Sequence, residues 1–143
     1  MEFTKMHGLG NDFIIMEAPS WEEASHYQAY ASFLCHRNFG VGGDGLIITG
    51  PDTEMDIFMR IFNPDGSEPE MCGNGIRCVA RYAHDHGLVK TNRISVRTLA
   101  GPRYPELILN NQHVEAIKVD MGEPELNREN IPEIGRASCR ERV

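Results

Sequence analysis

The stretch RIFNPDGSEPEMCGNGIRC, residues 60–78, contains the strongest structural signals of the chain. It begins in a segment, residues 55–61, in which Met and Ile occupy every second position, the period-two pattern of a strand. The residues NPDG at 63–66 have the composition and order of a turn. After Cys72, the sequence Gly-Asn-Gly is followed by apolar residues at helical spacing. The stretch therefore predicts a strand, a turn and then a helix with Cys72 at its N-terminus.

The rest of the chain adds further strands and one more helix. Ser20-Trp21-Glu22-Glu23 is a capping-box pattern, which predicts a helix running to about Cys35. The helix behind Cys72 is expected to end at Gly87. Further strands are predicted at residues 13–18, 45–49, 93–98, 106–109 and 114–121, the last two joined by a hairpin turn at 110–112. The pattern favours an α+β domain, a mostly antiparallel curved sheet wrapped around the helix behind Cys72.

The composition is that of an ordinary globular domain. Of 143 residues, 41% are hydrophobic and 24% charged. No apolar run approaches the roughly 18 residues that cross a membrane, and no signal peptide opens the chain, so we expect a cytoplasmic protein without a membrane partner. The net charge is −7 and the basic residues are scattered, which argues against a nucleic-acid partner.

The four cysteines, Cys35, Cys72, Cys78 and Cys139, are expected to be thiols rather than a disulfide framework. None of their spacings is the CxxC type that zinc usually requires, so no metal site is predicted. Cys78 lies well inside the predicted helix and is interpreted as a core residue.

No cofactor is predicted either. The chain has three lysines, at positions 5, 90 and 118, and none lies in the Gly/Ser-rich context that binds pyridoxal phosphate. The segment GVGGDG at 40–45 lacks the Lys-Ser/Thr of a phosphate loop and the glycine order of a dinucleotide-binding fold. Nucleotide binding is therefore not indicated.

Cys72 is the main candidate for chemistry. Free backbone N–H groups and the positive end of the helix dipole favour its thiolate form. The same N–H groups can hold the α-carboxylate of a substrate, so the thiolate is suited to remove a Cα proton. Inversion at Cα would need a second acid on the opposite face. The alternative interpretation is a helix-capping loop with a buried, inert cysteine.

Two other segments carry candidate binding residues. KMHGLGNDF at 5–13 places Asn11 between a glycine-bracketed turn and a strand, where Asx capping of the turn alone would also explain it. Asn63 ends the strand of residues 55–61, and its amide could bind a substrate or simply close the turn.

Taken together, these motifs resemble the N-terminal half of the diaminopimelate epimerase family. The order is KMHGLGNDF, GVGGDG, RIFNPDGSEPEMCGNGIRC and TLAG at 98–101, and the resemblance runs from Met1 to about Glu123. It implies two similar, pseudo-symmetric α+β domains with the active site between them. It also implies interconversion of LL- and meso-2,6-diaminopimelate by two cysteines, without pyridoxal phosphate or metal, in lysine and peptidoglycan precursor biosynthesis.

The resemblance assigns roles to five residues. Cys72 matches the first catalytic cysteine. Asn11 and Asn63 match substrate-binding asparagines. Gly73 and Asn74 match the backbone anchor behind the cysteine.

The chain also departs from the family pattern. Some members have a glutamine ligand at the position of Gly45, so that contact is absent or replaced. The second catalytic cysteine belongs to a C-terminal domain that this chain lacks. We therefore expect residues 1–123 to form the N-terminal domain and residues 124–133 to begin an interdomain segment. An isolated chain of this kind is expected to be inactive, and the full-length protein to be a homodimer.

The last residues, 134–143, have no apolar periodicity and resemble the translation of a sequencing adapter. We interpret them as an artefact and leave Cys139 out of functional reasoning.

Two other functions remain open at this point. One is a proline or hydroxyproline racemase of the same fold, which also uses two cysteines. The other is a thiol redox or binding domain that pairs Cys72 with Cys78 or Cys35. Helical spacing makes a disulfide between residues 72 and 78 geometrically poor.

Overall fold

The structure is a computed structural model that describes residues 2–111, 113–124 and 126. Its strands are β1 (Thr4–Gly8), β2 (Asn11–Glu17), β3 (Gly45–Pro51), β4 (Ile57–Phe62), β5 (Val96–Thr98), β6 (Gly101–Arg103), β7 (Glu106–Asn110) and β8 (His113–Lys118). Its α-helices are α1 (Trp21–Ala24), α2 (Ala31–Cys35) and α3 (Gly73–Asp85), and a 3₁₀ helix, Ser25–Tyr30, connects the first two. The tail at 134–143, with Cys139, lies outside the described residues.

Strands β1 to β6 form one sheet in chain order, and β7 pairs with β8 in a separate hairpin. Within the described residues, β1–β2, β3–β4, β5–β6 and β7–β8 are antiparallel, while β2–β3 and β4–β5 are parallel. Each parallel pairing needs a crossover. Helices α1 and α2 lie in the first crossover and α3 in the second. The predicted α+β domain with a mostly antiparallel sheet is confirmed.

The sheet is buried on both faces. Ile76 and Val79 of α3 pack on one face with Ile47 and other residues, and Ala24 and Ala31 pack on the other with Phe58. Successive residues of β4 therefore face two different cores, one on each side of the sheet, rather than a core and solvent. The alternating positions Ile57, Met59 and Ile61 belong to the α3 side, and Phe58 and Phe62 to the opposite side.

The predicted helix from Ser20 to Cys35 is broken, which corrects the sequence interpretation. The capping box is real, because the Ser20 hydroxyl accepts a hydrogen bond from the Glu23 N–H at 3.3 Å. At Ser25, however, the side-chain hydroxyl bonds to the carbonyl of Glu22. Such a bond competes with regular helix formation, and the chain continues as a 3₁₀ helix.

The region behind α3 also differs from the prediction. The strand expected over residues 93–98 is reduced to β5, and Arg93 forms only an isolated bridge to Glu106. A glycine with a φ of 87°, Gly101, allows the chain to turn back at once as β6, which the sequence did not predict.

Helix α3 itself matches the prediction. It spans 13 residues, and Gly87 follows it with a φ of 69°, a conformation that ends helices. Cys78 is buried in its apolar face, as expected for a core cysteine. The β7–β8 hairpin packs against the same core through Leu107 and Val114. None of the described helices is long and apolar enough to cross a membrane.

Candidate active site

Cys72 is the N-cap residue of α3. Its φ and ψ of −138° and 113° are extended, and its Sγ accepts a hydrogen bond from the Gly75 N–H at 3.3 Å. The first N–H groups of a helix have no partner within the helix, so those of Gly73 and Asn74 are available to a ligand beside the thiol. The cysteine is half-buried. A reagent or substrate can therefore reach it, unlike Cys78 further along the helix.

Asn11 lies beside the thiol, although 61 residues separate the two in sequence. The Cys72 Sγ is 3.9 Å from the Asn11 Oδ1, within range of a weak S–H···O contact. A glycine makes this approach possible. A Cβ added at Gly8 would stand 3.2 Å from both the Cβ and the carbonyl oxygen of Asn74. Gly8 is the register partner of Asn11 in the β1–β2 hairpin, so this contact places the hairpin against the beginning of α3.

The anchor residues Gly73 and Asn74 also occupy the first turn of α3. The Asn74 Oδ1 accepts a hydrogen bond from Arg77 at 3.2 Å, and the same guanidinium reaches the Gly73 carbonyl at 3.3 Å. The side chain of Asn74 is thus used within the helix. Its backbone N–H has no partner within the helix and stays the group that the sequence interpretation assigns to substrate binding.

Asn63 is engaged in its own turn. Its Nδ2 donates to the Ser67 Oγ at 2.9 Å, and its backbone carbonyl accepts from the Gly66 N–H at 2.9 Å. Among the described residues, no hydrogen bond joins the Asn63 side chain to Cys72 or Asn11. The structure therefore brings together Cys72, Asn11, Gly73 and Asn74, and shows Asn63 closing a turn.

An ion pair attaches the segment between this turn and Cys72 to the sheet. Arg60 of β4 makes two hydrogen bonds of 2.7 Å to the Glu68 carboxylate. Both side chains are largely buried, at 11% and 15% exposure. The guanidinium also lies over the rings of Trp21 and Phe62, at 5.2 and 5.4 Å. This ion pair fixes the chain four residues before the thiol.

Sequence reasoning missed a charged cluster behind Asn11. Asp44 accepts hydrogen bonds from the Asn11 amide and from the Asp12 backbone, each at 3.0 Å. Arg37 bonds to both carboxylates, and Lys5 forms an ion pair with Asp12 at 2.7 Å. The Arg37 guanidinium, followed by the Lys5 ammonium, holds the pKa of Asp12 far below its usual range. Asp12 therefore stays ionised at neutral pH.

The parallel register of β2 and β3 explains the cluster. Phe13 pairs with Gly45, so the residues before them, Asp12 and Asp44, meet at the same edge. The GVGGDG segment allows the chain to reach this position: its Gly42 N–H bonds to the Leu34 carbonyl, and Gly42 has a φ of 82°. Recognising a parallel pairing between these two strands would have revealed Asp44.

The remaining described cysteines are core residues. Burial raises the pKa of Cys35, and burial followed by the nearby Cys72 raises that of Cys78 to about 11. Both thiols therefore stay protonated at neutral pH and are protected from reagents.

Known proteins resemble this chain in sequence. The sequence profile of the family described as diaminopimelate epimerase matches residues 3–127. The diaminopimelate epimerase of Moorella thermoacetica is 51% identical over 138 residues, which are 96% of this chain and 50% of that protein. The enzyme of Desulfitobacterium hafniense is 53% identical over 92% of this chain and 47% of its own length. The chain thus spans about half the length of the curated relatives that it matches.

Solved structures show the same fold at low identity. A hydroxyproline epimerase from Agrobacterium vitis superposes with a TM-score of 0.65 at 13% identity, over 82% of this chain and 40% of its own. A methylitaconate-delta-isomerase superposes with a TM-score of 0.61 at 18% identity, over 78% of this chain and 35% of its own. These likenesses concern the fold alone. The profile match and the identities near 50% show that the chain belongs to the diaminopimelate epimerase family.

Proposed function

We propose that this chain is the N-terminal half of an isomerase that interconverts LL- and meso-2,6-diaminopimelate, in lysine and peptidoglycan precursor biosynthesis. The observation that carries the proposal is the position of Cys72. Its thiol caps a 13-residue helix, next to two available backbone N–H groups and the amide of Asn11. Family membership supports diaminopimelate as the substrate.

The proposed reaction uses the first turn of α3 to orient the substrate. The N–H groups of Gly73 and Asn74 bind the α-carboxylate, which the helix dipole also favours. The Cys72 thiolate then takes the Cα proton, so that the C–H bond breaks and an S–H bond forms. A second thiol on the opposite face donates its proton to Cα, which completes the inversion. In the reverse direction the two thiols exchange roles.

Neither pyridoxal phosphate nor a metal is part of this proposal. A pyridoxal phosphate enzyme needs a lysine free to form a Schiff base. Lys5, the lysine nearest the site in sequence, is held by Asp12 and by the carbonyl of Gly42. The two thiols supply both proton transfers.

We propose that the second thiol lies in the half of the relatives that this chain does not span. Residues 1–123 would then be one of two domains, and residues 124–133 the beginning of the connection between them. Residues 134–143 would be an artefact. A cytoplasmic homodimer is proposed for the full-length protein, on the family resemblance. Asn63 is proposed to contact substrate after leaving its bond to Ser67.

The alternative functions have less support. The hydroxyproline epimerase shares only 13% identity, whereas diaminopimelate epimerases reach about 50%. A redox pair would need a second reactive thiol near Cys72. Burial keeps Cys35 and Cys78 protonated, which opposes disulfide exchange.

The test is a fusion of residues 1–123 to the C-terminal half of the Moorella thermoacetica enzyme. Solvent deuterium entering diaminopimelate is followed by NMR. The fusion is expected to exchange, while the isolated chain and the fusion with Cys72→Ala are not. A fusion with Cys78→Ala is the matched control, because Cys78 lies in α3 and is buried in the core. Exchange that survives Cys72→Ala would refute the assignment, and rapid exchange by the isolated chain would refute the two-thiol reaction.

A further inference from the structure

We infer that Asp44 is a positioning residue that holds the Asn11 amide with its oxygen toward Cys72. Asp44 would thereby set the polarity of the surface that meets an amino-acid substrate. The functional part of this inference rests on the proposed epimerase function. The orientation of the amide can be tested separately.

The first step is the number of contacts that Asp44 makes. Its Oδ2 accepts hydrogen bonds from the Asn11 Nδ2 and the Asp12 backbone N–H, both at 3.0 Å. Its Oδ1 accepts from Arg37 at 2.8 Å, and its own backbone N–H donates to the Asp12 carbonyl at 2.7 Å. One strand, β2, and the long side chain of Arg37 therefore fix the carboxylate, although it is 41% exposed.

The second step is chemical. An ionised carboxylate only accepts hydrogen bonds, so it can face the NH₂ of an asparagine but not the oxygen. With Nδ2 turned to Asp44, the Oδ1 of Asn11 is directed to the other side, where it lies 3.9 Å from the Cys72 Sγ. Without Asp44, the amide could rotate by a half-turn at little cost in shape.

The third step concerns the substrate. The ammonium group of an amino acid has only donors, so it needs an acceptor on the protein. The outward Oδ1 of Asn11 is such an acceptor, whereas a rotated amide would present N–H groups to the ammonium. With this orientation, α3 supplies the hydrogen-bond donors for the substrate carboxylate, and the β1–β2 hairpin supplies the acceptor for the ammonium group.

Asp44 orients the Asn11 amide without adding a net local charge. Asp12 and Asp44 are compensated by Lys5 and Arg37, at distances of 2.7 to 2.8 Å. The site therefore gains an oriented amide rather than an uncompensated carboxylate that would repel the substrate's carboxylate.

The experiment measures alkylation of Cys72 by iodoacetamide at pH 7 in the 143-residue chain. Trypsin cleaves after Arg60 and Arg77, so the peptide of residues 61–77 contains Cys72 and not Cys78. Urea unfolding of every variant shows whether it is folded. The variants are Asp44→Ala, Asp44→Asn and Arg37→Gln.

Asp44→Ala is expected to raise the alkylation rate about threefold, because a rotated Asn11 amide donates a hydrogen bond to the Cys72 sulfur and so favours the form that attacks iodoacetamide. Asp44→Asn is expected to remain near the wild-type rate. Its oxygen still accepts from the Asp12 N–H and from Asn11, while its NH₂ takes the place of the oxygen that faced Arg37, which keeps Asp12 as a partner. Arg37→Gln loosens the cluster but leaves the bond between Asp44 and Asn11, and should change the rate by less than about twofold, since exposed charges are screened.

The relative alkylation rates of the three variants decide between orientation of the amide, an effect of charge and general loosening. Equal acceleration in Asp44→Ala and Asp44→Asn would show an effect of charge and overturn the inference. Equal acceleration in Asp44→Ala and Arg37→Gln would show general loosening and also overturn it, as would no acceleration at all. The fusion enzyme separates this result from the proposed function. If the fusion shows no exchange while the alkylation pattern holds, the amide orientation stands and the epimerase proposal fails.

Discussion

Substituting alanine for Gly8 tests the close contact between the β1–β2 hairpin and the beginning of α3. The added Cβ would stand 3.2 Å from the Asn74 Cβ and carbonyl oxygen, and 3.4 Å from its Cα. Carbon atoms at optimal separation are about 3.5 to 4.0 Å apart. Two of these three atoms belong to the backbone of a helix and cannot rotate away. The first turn of α3 must therefore move from the hairpin.

The expected loss of stability follows from two opposing effects. Overpacking of a well-packed contact costs about 1 to 3 kcal/mol. Replacing glycine by alanine at a compatible backbone conformation returns about 0.4 to 1 kcal/mol through the unfolded state. We expect Gly8→Ala to lower the free energy of unfolding by about 1.5 kcal/mol, which moves the urea midpoint by about 1 M at a slope of about 1.5 kcal/mol per M.

Fluorescence of the single tryptophan, Trp21, can follow this unfolding, since its ring packs edge-on against Phe58 at 5.9 Å. Gly45→Ala is the matched control, because the nearest atoms to its added Cβ are 3.4 Å away, an ordinary contact. The control should be as stable as the wild type or slightly more stable. A Gly8→Ala chain that keeps its urea midpoint, or a control that loses as much, would refute the argument from the Gly8 contact.

Three further perturbations test other parts of the molecule. Leu9 is 92% exposed and has a φ of 55°, so Leu9→Asn should raise the free energy of unfolding by about 1 kcal/mol; an unchanged urea midpoint would contradict this. Glu68→Ala removes the carboxylate partner of the largely buried Arg60 guanidinium, which keeps only its hydrogen bond to the Trp21 carbonyl, and should cost about 3 kcal/mol. Glu68→Gln should cost less, and a loss below about 1 kcal/mol in Glu68→Ala would show that the pair is dispensable. The pKa of Asp12 is depressed in the folded chain, so its stabilisation is present above its ordinary pKa of 3.8 and is lost as the pH falls below it. Urea midpoints at pH 7, 4 and 3 should therefore fall less steeply in Arg37→Gln than in the wild type, and equal slopes would count against this ion pair.

Local sequence signals predicted the elements whose pattern depends on near neighbours. The helix behind Cys72, its end at Gly87 and the turn at 63–66 all appear where the sequence placed them. Each relies on short-range chemistry, such as capping, apolar spacing or a left-handed glycine. The prediction over residues 20–35 failed because a side-chain bond at Ser25 competes with the helix, and apolar periodicity does not report such bonds.

The site was predicted only in part, for a related reason. The helix motif identified Cys72, and the family resemblance added Asn11, but neither revealed Asp44. Its importance depends on the parallel register that pairs Phe13 with Gly45. Parallel partners are distant in sequence and have no turn between them, so no local pattern marks the pairing.

The backbone rather than long side chains fixes the groups around the thiol. The beginning of α3 fixes Cys72, the β1–β2 hairpin fixes Asn11, and the parallel pairing fixes Asp44 behind it. Such a surface is preorganised, because few side-chain rotamers must be ordered when a ligand binds. In the proposed reaction it would face one side of the substrate Cα, and inversion would require a proton donor on the other side. Under this proposal, residues 1–123 would present an accessible cysteine and an oriented amide without catalysing turnover alone. For this reason the reactivity of Cys72 and the exchange of the Cα proton have to be measured as separate properties.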